Sequence, residues 1–267
     1  MVNSWSILGE NFNFRSWGDD MAFLRADKVT ELNGVTVKEY LLTEHNPRRI
    51  TMPSRRALPL MGVTIHNTDA IKVNGTTMAE QYTRATYNGN MGTVRVHFYV
   101  DDTEAWQNLP LDWQGWHAAD GSGNGNTRTI AIECIGDSAK AEDNAARLAA
   151  WLLEKHGLGV DELFTHTYWL NVRDGKGGGL SKDERCVLPH PYKVCPLYII
   201  PHWAVFVEKV RGYMAPAPEP VQEGAFGTRY NIVVGVYSVE ENAKKRLEEV
   251  KKVYPDAFIK KTIVKNG

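Results

Sequence analysis

Short apolar runs alternate with amphipathic helical segments along most of this chain. That alternation restricts the fold to an α/β domain built on one mixed sheet flanked by helices. The clearest runs are 58–66, 129–135 and 162–166, each reading as a buried strand. A further strand is expected over 35–42, after the Asn33-Gly34 turn signal, and another over 94–100. The latter turns at Asp101-Asp102 onto a hairpin partner at 105–109. Helices are expected over 76–87, stopped by Asn88-Gly89-Asn90, and over 139–156, ended by Gly157. A closing helix covers 198–213, and a glycine-rich insertion covers 171–190. The segment 113–126, rich in glycine and aromatics, reads as a functional loop.

Two of the strands run into histidine: Val63-Thr64-Ile65-His66-Asn67-Thr68 and Leu163-Phe164-Thr165-His166-Thr167. A third stretch, Tyr192-Lys193-Val194-Cys195-Pro196, places an ammonium and a thiol two residues apart. If that stretch is extended, Lys193 and Cys195 point the same way. Alone, each of these residues is more often structural. As a set, His66, His166 and Cys195 supply the three protein ligands of an open catalytic zinc site. His190 is the rival to His166, because it lies five residues before Cys195. Pro189 and Pro191 flank it in what reads as a loop, so His166 is preferred.

Glu133 interrupts the apolar run Ile130-Ala131-Ile132-Glu133-Cys134-Ile135. A carboxylate on such a strand is paired, or has a raised pKa and a chemical task, unless alternation simply turns it to solvent. A general base for a zinc-activated water is the task that fits. Trp116-His117-Ala118, beside Asp120-Gly121, and His97 are candidates to line a substrate groove, though packing of a surface loop accounts for them equally well.

The order and character of these motifs resemble the zinc-dependent N-acetylmuramoyl-L-alanine amidases of the type 2 family. That family also contains bacteriophage lysozyme-like amidases and peptidoglycan recognition proteins. The resemblance covers about residues 60–213 and rests on Thr64-Ile65-His66-Asn67-Thr68, Val96-His97-Phe98, Trp116-His117-Ala118, Ile130-Ala131-Ile132-Glu133, Thr165-His166 and Lys193-Val194-Cys195-Pro196. It implies one zinc ion per chain held by His66, His166 and Cys195, with Glu133 activating water and Lys193 steadying the oxyanion. Asn67, His97, Trp116 and His117 would then contact substrate. The implied reaction cuts the amide joining the lactyl group of muramic acid to L-alanine in bacterial peptidoglycan. Two features depart from the family pattern. The insertion from Asn171 to Pro191 separates the last histidine from the cysteine, and Val96 stands where some members carry a catalytic tyrosine.

The chain of 267 residues has room for a second, smaller unit. Residues 1–59 form an N-terminal extension packed on the catalytic domain of 60–213. A proline-rich linker, 214–229, leads to a tail over 230–267. The tail reads as a small β-α-β unit; Tyr230-Asn231-Ile232-Val233-Val234-Gly235-Val236-Tyr237-Ser238, followed by Glu241-Asn242-Ala243, resembles the first half of a SPOR module, which implies binding to glycan strands of the wall. Half a module leaves sheet edges unpaired, so a homodimer through the tail would complete it. Docking of the tail on its own catalytic domain is the competing arrangement.

A formal net charge of −1 gives no argument for nucleic acid or for a membrane surface. Three cysteines, Cys134, Cys186 and Cys195, argue against a disulfide framework. Met1-Val2-Asn3-Ser4-Trp5 lacks the basic and apolar regions of a signal peptide. The expectation is therefore an endolysin made in the bacterial cytoplasm and acting on the wall after release. The alternatives are a non-catalytic recognition module, which would have broken zinc ligands, and a host autolysin, which would carry an export signal.

Overall fold

The computed structural model describes residues 24–45, 50–71 and 75–214, together with Lys244, Leu247, Glu248 and Lys251, which are helical. The chain divides into two compact units after Ala215. The proline-rich linker and the expected β-α-β tail lie outside the described residues apart from Met214 and those four positions.

The first unit begins with strands β1 (Lys28–Leu32) and β2 (Val35–Glu39), followed by the single turn α1 (Leu42–His45). Next come β3 (Gly62–Thr68), helix α2 (Met78–Tyr87), β4 (Phe98–Val100) and β5 (Ala105–Gln107). A short helix α3 (Asn124–Arg128) leads into β6 (Thr129–Ile135) and the long helix α4 (Ala139–Lys155). The chain continues through β7 (Leu163–Thr165), α5 (His166–Arg173), α6 (Lys182–Val187) and α7 (Trp203–Tyr213). The strands form one mixed sheet of seven in the order β1-β2-β5-β4-β6-β3-β7, with both parallel and antiparallel pairs. This is the expected mixed α/β architecture. Among the described residues no helix is long and apolar enough to cross a membrane.

The described part of the N-terminal stretch belongs to the sheet itself. Asn33 and Gly34 both have positive φ, 50° and 79°, the conformation a two-residue hairpin turn demands. The hairpin they close brings in β1, which the sequence pattern alone does not suggest, and attaches it to the sheet through β2 and β5.

Alternation along β3 and β6 divides the sheet into two faces. Val63, Ile65, Ile130, Ile132 and Cys134 point to one face and bury themselves against Leu148, Leu152 and Leu153 of α4 and Phe206 and Val210 of α7. Each fully buried aliphatic side chain of this kind contributes about 1.5–3 kcal/mol of transfer free energy. Ala131 and Ile135 point to the other face, where Tyr82 and Ala85 of α2 cover them. Thr64, His66, Thr129 and Glu133 share that second face.

Three expectations need correction. His66 lies inside β3 rather than at its end, because the ladder with β6 runs on to Thr68 opposite Ile135. The strand expected over 94–100 shortens to β4, with Arg95 making only an isolated bridge to Trp116. The insertion at 171–190 is not glycine-rich loop throughout. It contains the end of α5 and all of α6, and Ser181 and Glu184 close a capping box that starts α6.

Candidate metal centre

The register of three neighbouring strands brings the site together. His66 pairs with Glu133 across β3 and β6, so the two side chains stand on the same face. On the other side of β3, Ile65 pairs with Thr165. One step further along, His166 comes beside His66, with ring centroids 4.9 Å apart. His166 is the first residue of α5. Thr165, the last residue of β7, caps that helix by accepting the Tyr168 N–H at 3.0 Å, which turns the chain out of the sheet at the histidine.

Cys195 arrives from 29 residues downstream of His166, on an irregular segment rather than the extended one expected to point Lys193 and Cys195 the same way. Thr167 holds it there. The Cys195 N–H donates to Thr167 Oγ1 at 2.7 Å, Thr167 N–H donates to the Cys195 carbonyl at 2.9 Å, and Thr167 Oγ1 donates to the same carbonyl at 3.0 Å. Thr167 was not singled out from the sequence. The Thr-His-Thr string at 165–167, one hydroxyl for the cap and one for the clamp, is the signal that could have marked it.

His66, His166 and Cys195 each offer a donor atom, all within 4.8 Å of one another, and all three residues are buried. Both ring nitrogens of His166 are buried without a hydrogen-bond partner among the described residues. Buried polar atoms are normally satisfied, so an unpartnered imidazole facing a thiol and a second imidazole fits a metal ion. Nδ1 of His66 lies 3.8 Å from Cys195 Sγ. Burial holds both histidines well below their usual pKa, which keeps them neutral and able to donate a lone pair. Burial also pushes the Cys195 thiol up to about 11, with Lys193 acting against that rise. A cation in the site would reverse this, since a coordinating thiol is deprotonated.

Glu133 and Lys193 lie beside this group. Burial pushes Glu133 up to about 7, and the Lys193 ammonium counters part of that rise. Lys193 is only half-buried, yet its charge acts on Glu133, His66, His166 and Cys195 alike. Tyr82 and Tyr99 stack at 5.4 Å beside Glu133, and its charge helps to raise their own pKa values. Val96 is buried among the residues packed by α2.

The structure separates the remaining candidates. His190 is not part of the group: its Nε2 sits 3.0 Å from Asp174 Oδ2 and its Nδ1 accepts the Tyr192 N–H at 3.2 Å. His97 does not line a groove. It is fully buried, its Nδ1 accepts the Ala131 N–H at 3.1 Å, and its Nε2 lies 3.0 Å from the Trp113 carbonyl. That makes it a strut between β6 and the loop, and burial depresses it to about 3. The Asn67 side chain cannot reach the face of His66, because alternation turns it to the other side, where Nδ2 donates to the Cys134 carbonyl at 3.2 Å. Only its backbone carbonyl approaches the centre, 3.9 Å from Cys195 Sγ. His117 is buried against His66, with Nδ1 at 3.0 Å from His66 Nε2, rather than turned to a substrate. Trp116 is half-buried, its backbone paired with Arg95 at 2.9 Å.

Two imidazoles and a thiol gathered beside a sheet face, with a carboxylate of displaced pKa alongside, are a group that could hold a metal ion next to an acid-base residue. The N-acetylmuramoyl-L-alanine amidase family model matches residues 56–196, more than half of the chain, and the chain belongs to that family. It is 40% identical over 118 residues to the N-acetylmuramoyl-L-alanine amidase XlyA of Bacillus subtilis, covering 42% of this chain and 38% of XlyA. It is 29% identical over 191 residues to the amidase CwlH of the same organism, covering 69% of this chain and 65% of CwlH. The chain therefore spans less than two thirds of either curated relative. The solved catalytic domain of XlyA superposes with a TM-score of 0.50 at 29% identity, over 66% of this chain and 99% of that one. A mutant endolysin from Bacillus subtilis gives 0.51 at 29% identity over the same shares.

Proposed function

We propose that this chain is a zinc-dependent amidase that cleaves the bond between N-acetylmuramic acid and L-alanine in peptidoglycan, and that it serves as an endolysin. The observation that carries the reading is the group His66, His166 and Cys195 beside Glu133 on one sheet face. Family membership and the amidase names of the relatives support the bond and the substrate. The endolysin role draws its support from the similarity to the Bacillus subtilis endolysin.

His66, His166 and Cys195 would hold one zinc ion, leaving the open coordination position that catalytic sites keep. Bound there, zinc supplies Lewis acidity toward the scissile carbonyl and toward water. Glu133, with its pKa near 7, takes the proton from the attacking water and delivers it to the departing alanine nitrogen. Lys193, whose charge already acts on Glu133 and Cys195, would steady the negative charge that develops on the carbonyl oxygen, and partial burial would strengthen that interaction. Trp116 offers a half-exposed aromatic surface to the substrate. The tail over 230–267 would retain the enzyme on the glycan, and pairing of two tails would add avidity.

Product analysis on purified cell wall tests this reading. New L-alanine amino termini should appear without new reducing sugar ends. New reducing ends, or no release from zinc-loaded protein, would refute it.

A further inference from the structure

The reading above leaves one buried group without a role. His117 lies in the loop before α3, and its Nδ1 is 3.0 Å from Nε2 of His66, with the two rings at 90°. Only one proton sits between those nitrogens. If it rides on His66 Nε2, His117 Nδ1 accepts it and His66 Nδ1 keeps a free lone pair, 3.8 Å from Cys195 Sγ. The opposite tautomer puts the hydrogen of His66 on Nδ1, against the sulfur, and leaves no donor atom for a metal on that side.

We propose that His117 is a positioning residue: it accepts the Nε2–H of His66 and so fixes the tautomer in which His66 Nδ1 is the metal donor. The proposal rests on the metal reading of the site and deepens it. The loop is built to hold the ring in place. Asn126 Oδ1 accepts the N–H groups of His117 and Ala118 at 2.7 and 2.8 Å. Asp120 in turn accepts the N–H groups of Gly125 and Asn126 at 2.7 and 3.1 Å. Gly115 supplies the space, since a Cβ there would stand 2.4 Å from His117 Cδ2. These bonds fix the backbone of the loop from Asp120 to His117, whose ring meets His66. Groups that orient metal-bound histidines in this way typically tune metal affinity by about 10–100-fold.

The experiment measures zinc affinity by chelator competition in the full chain, for wild type, His117→Ala and His117→Asn. The Asn oxygen can stand in for Nδ1 as acceptor. We expect His117→Ala to weaken zinc by about 10–100-fold and His117→Asn to recover most of the loss. Gly115→Ala should weaken zinc in the wild-type background and have little effect once His117 is alanine. Nitrogen-15 spectra of the zinc-free protein should show His66 protonated on Nε2. A wild type that binds no zinc would overturn the metal reading itself. Zinc bound normally by wild type and equally by His117→Ala, or His66 protonated on Nδ1, would overturn the role of His117 alone. A His117→Asn variant as weak as His117→Ala would reduce His117 to a packing residue and also overturn it.

Discussion

Residues of β3 and β6 alternate one by one between two faces, and the two faces behave in opposite ways. Toward α4 and α7 the strands present Val63, Ile65, Ile130 and Ile132, which gain stability from burial and have no polar atom to satisfy. Toward the site the same strands present His66 and Glu133, where burial displaces both pKa values. The packed face holds the register rigid, and the register lines up Glu133, His66 and His166 across three strands. One face therefore provides the geometry that the other uses, at some cost to the stability of the unliganded domain.

Removing a donor from the polar face should have the largest effect. His166→Ala is expected to lose its zinc altogether, while His190→Ala, a partner of Asp174 outside the group, keeps one ion per chain. Metal content after dialysis checks this, and the reverse pattern would exchange the two histidines. Next come the groups that act on substrate. Glu133→Gln and Lys193→Ala should retain zinc and lose about 10²–10⁴ in turnover on cell wall. Near-normal turnover by zinc-loaded Glu133→Gln would remove that carboxylate from the chemistry.

The packed face should respond in stability alone. Ile132→Ala is expected to cost about 2–5 kcal/mol in denaturant unfolding. Zinc content per folded chain should not change, and a loss of zinc in the folded variant would break the division between the faces.

The smallest effect concerns pH in the zinc-free protein. Glu133 titrates near 7 when folded, against an ordinary value of 4.5, so the native state binds the extra proton between those values. Stability attributable to this group therefore falls as pH rises from about 4.5 to 7 and stays low above, by up to about 3 kcal/mol. The depressed histidines act in the opposite sense, losing stability as pH falls below 6.5. The difference between Glu133→Gln and wild type isolates the carboxylate: the variant should gain stability at pH 8 and show little change at pH 4. A gap that does not vary with pH would mean that Glu133 is not held protonated by burial.

Much of this arrangement was legible in the sequence. Local pattern gives β6, α2, α4 and the hairpin of β4 and β5, because apolar periodicity and caps act over a few residues. The donor types were legible as well, since histidine and cysteine beside apolar strands are chemically conspicuous. Which of His166 and His190 belongs to the group was not decided by spacing alone. Asn67 and His97 show the same limit: each stands in a motif next to a working residue, yet one turns to the opposite face and the other is consumed by backbone partners.

The sequence by itself determined the α/β class and the types of residue that could serve as donors, because those follow from residue type and short-range period. Only the tertiary structure decided that β7 lies beside β3, that Thr167 draws Cys195 in from 28 residues away, and that His117 faces His66. These are contacts between segments far apart in the chain. They are set by strand order and by hydrogen bonds whose partners no local pattern names.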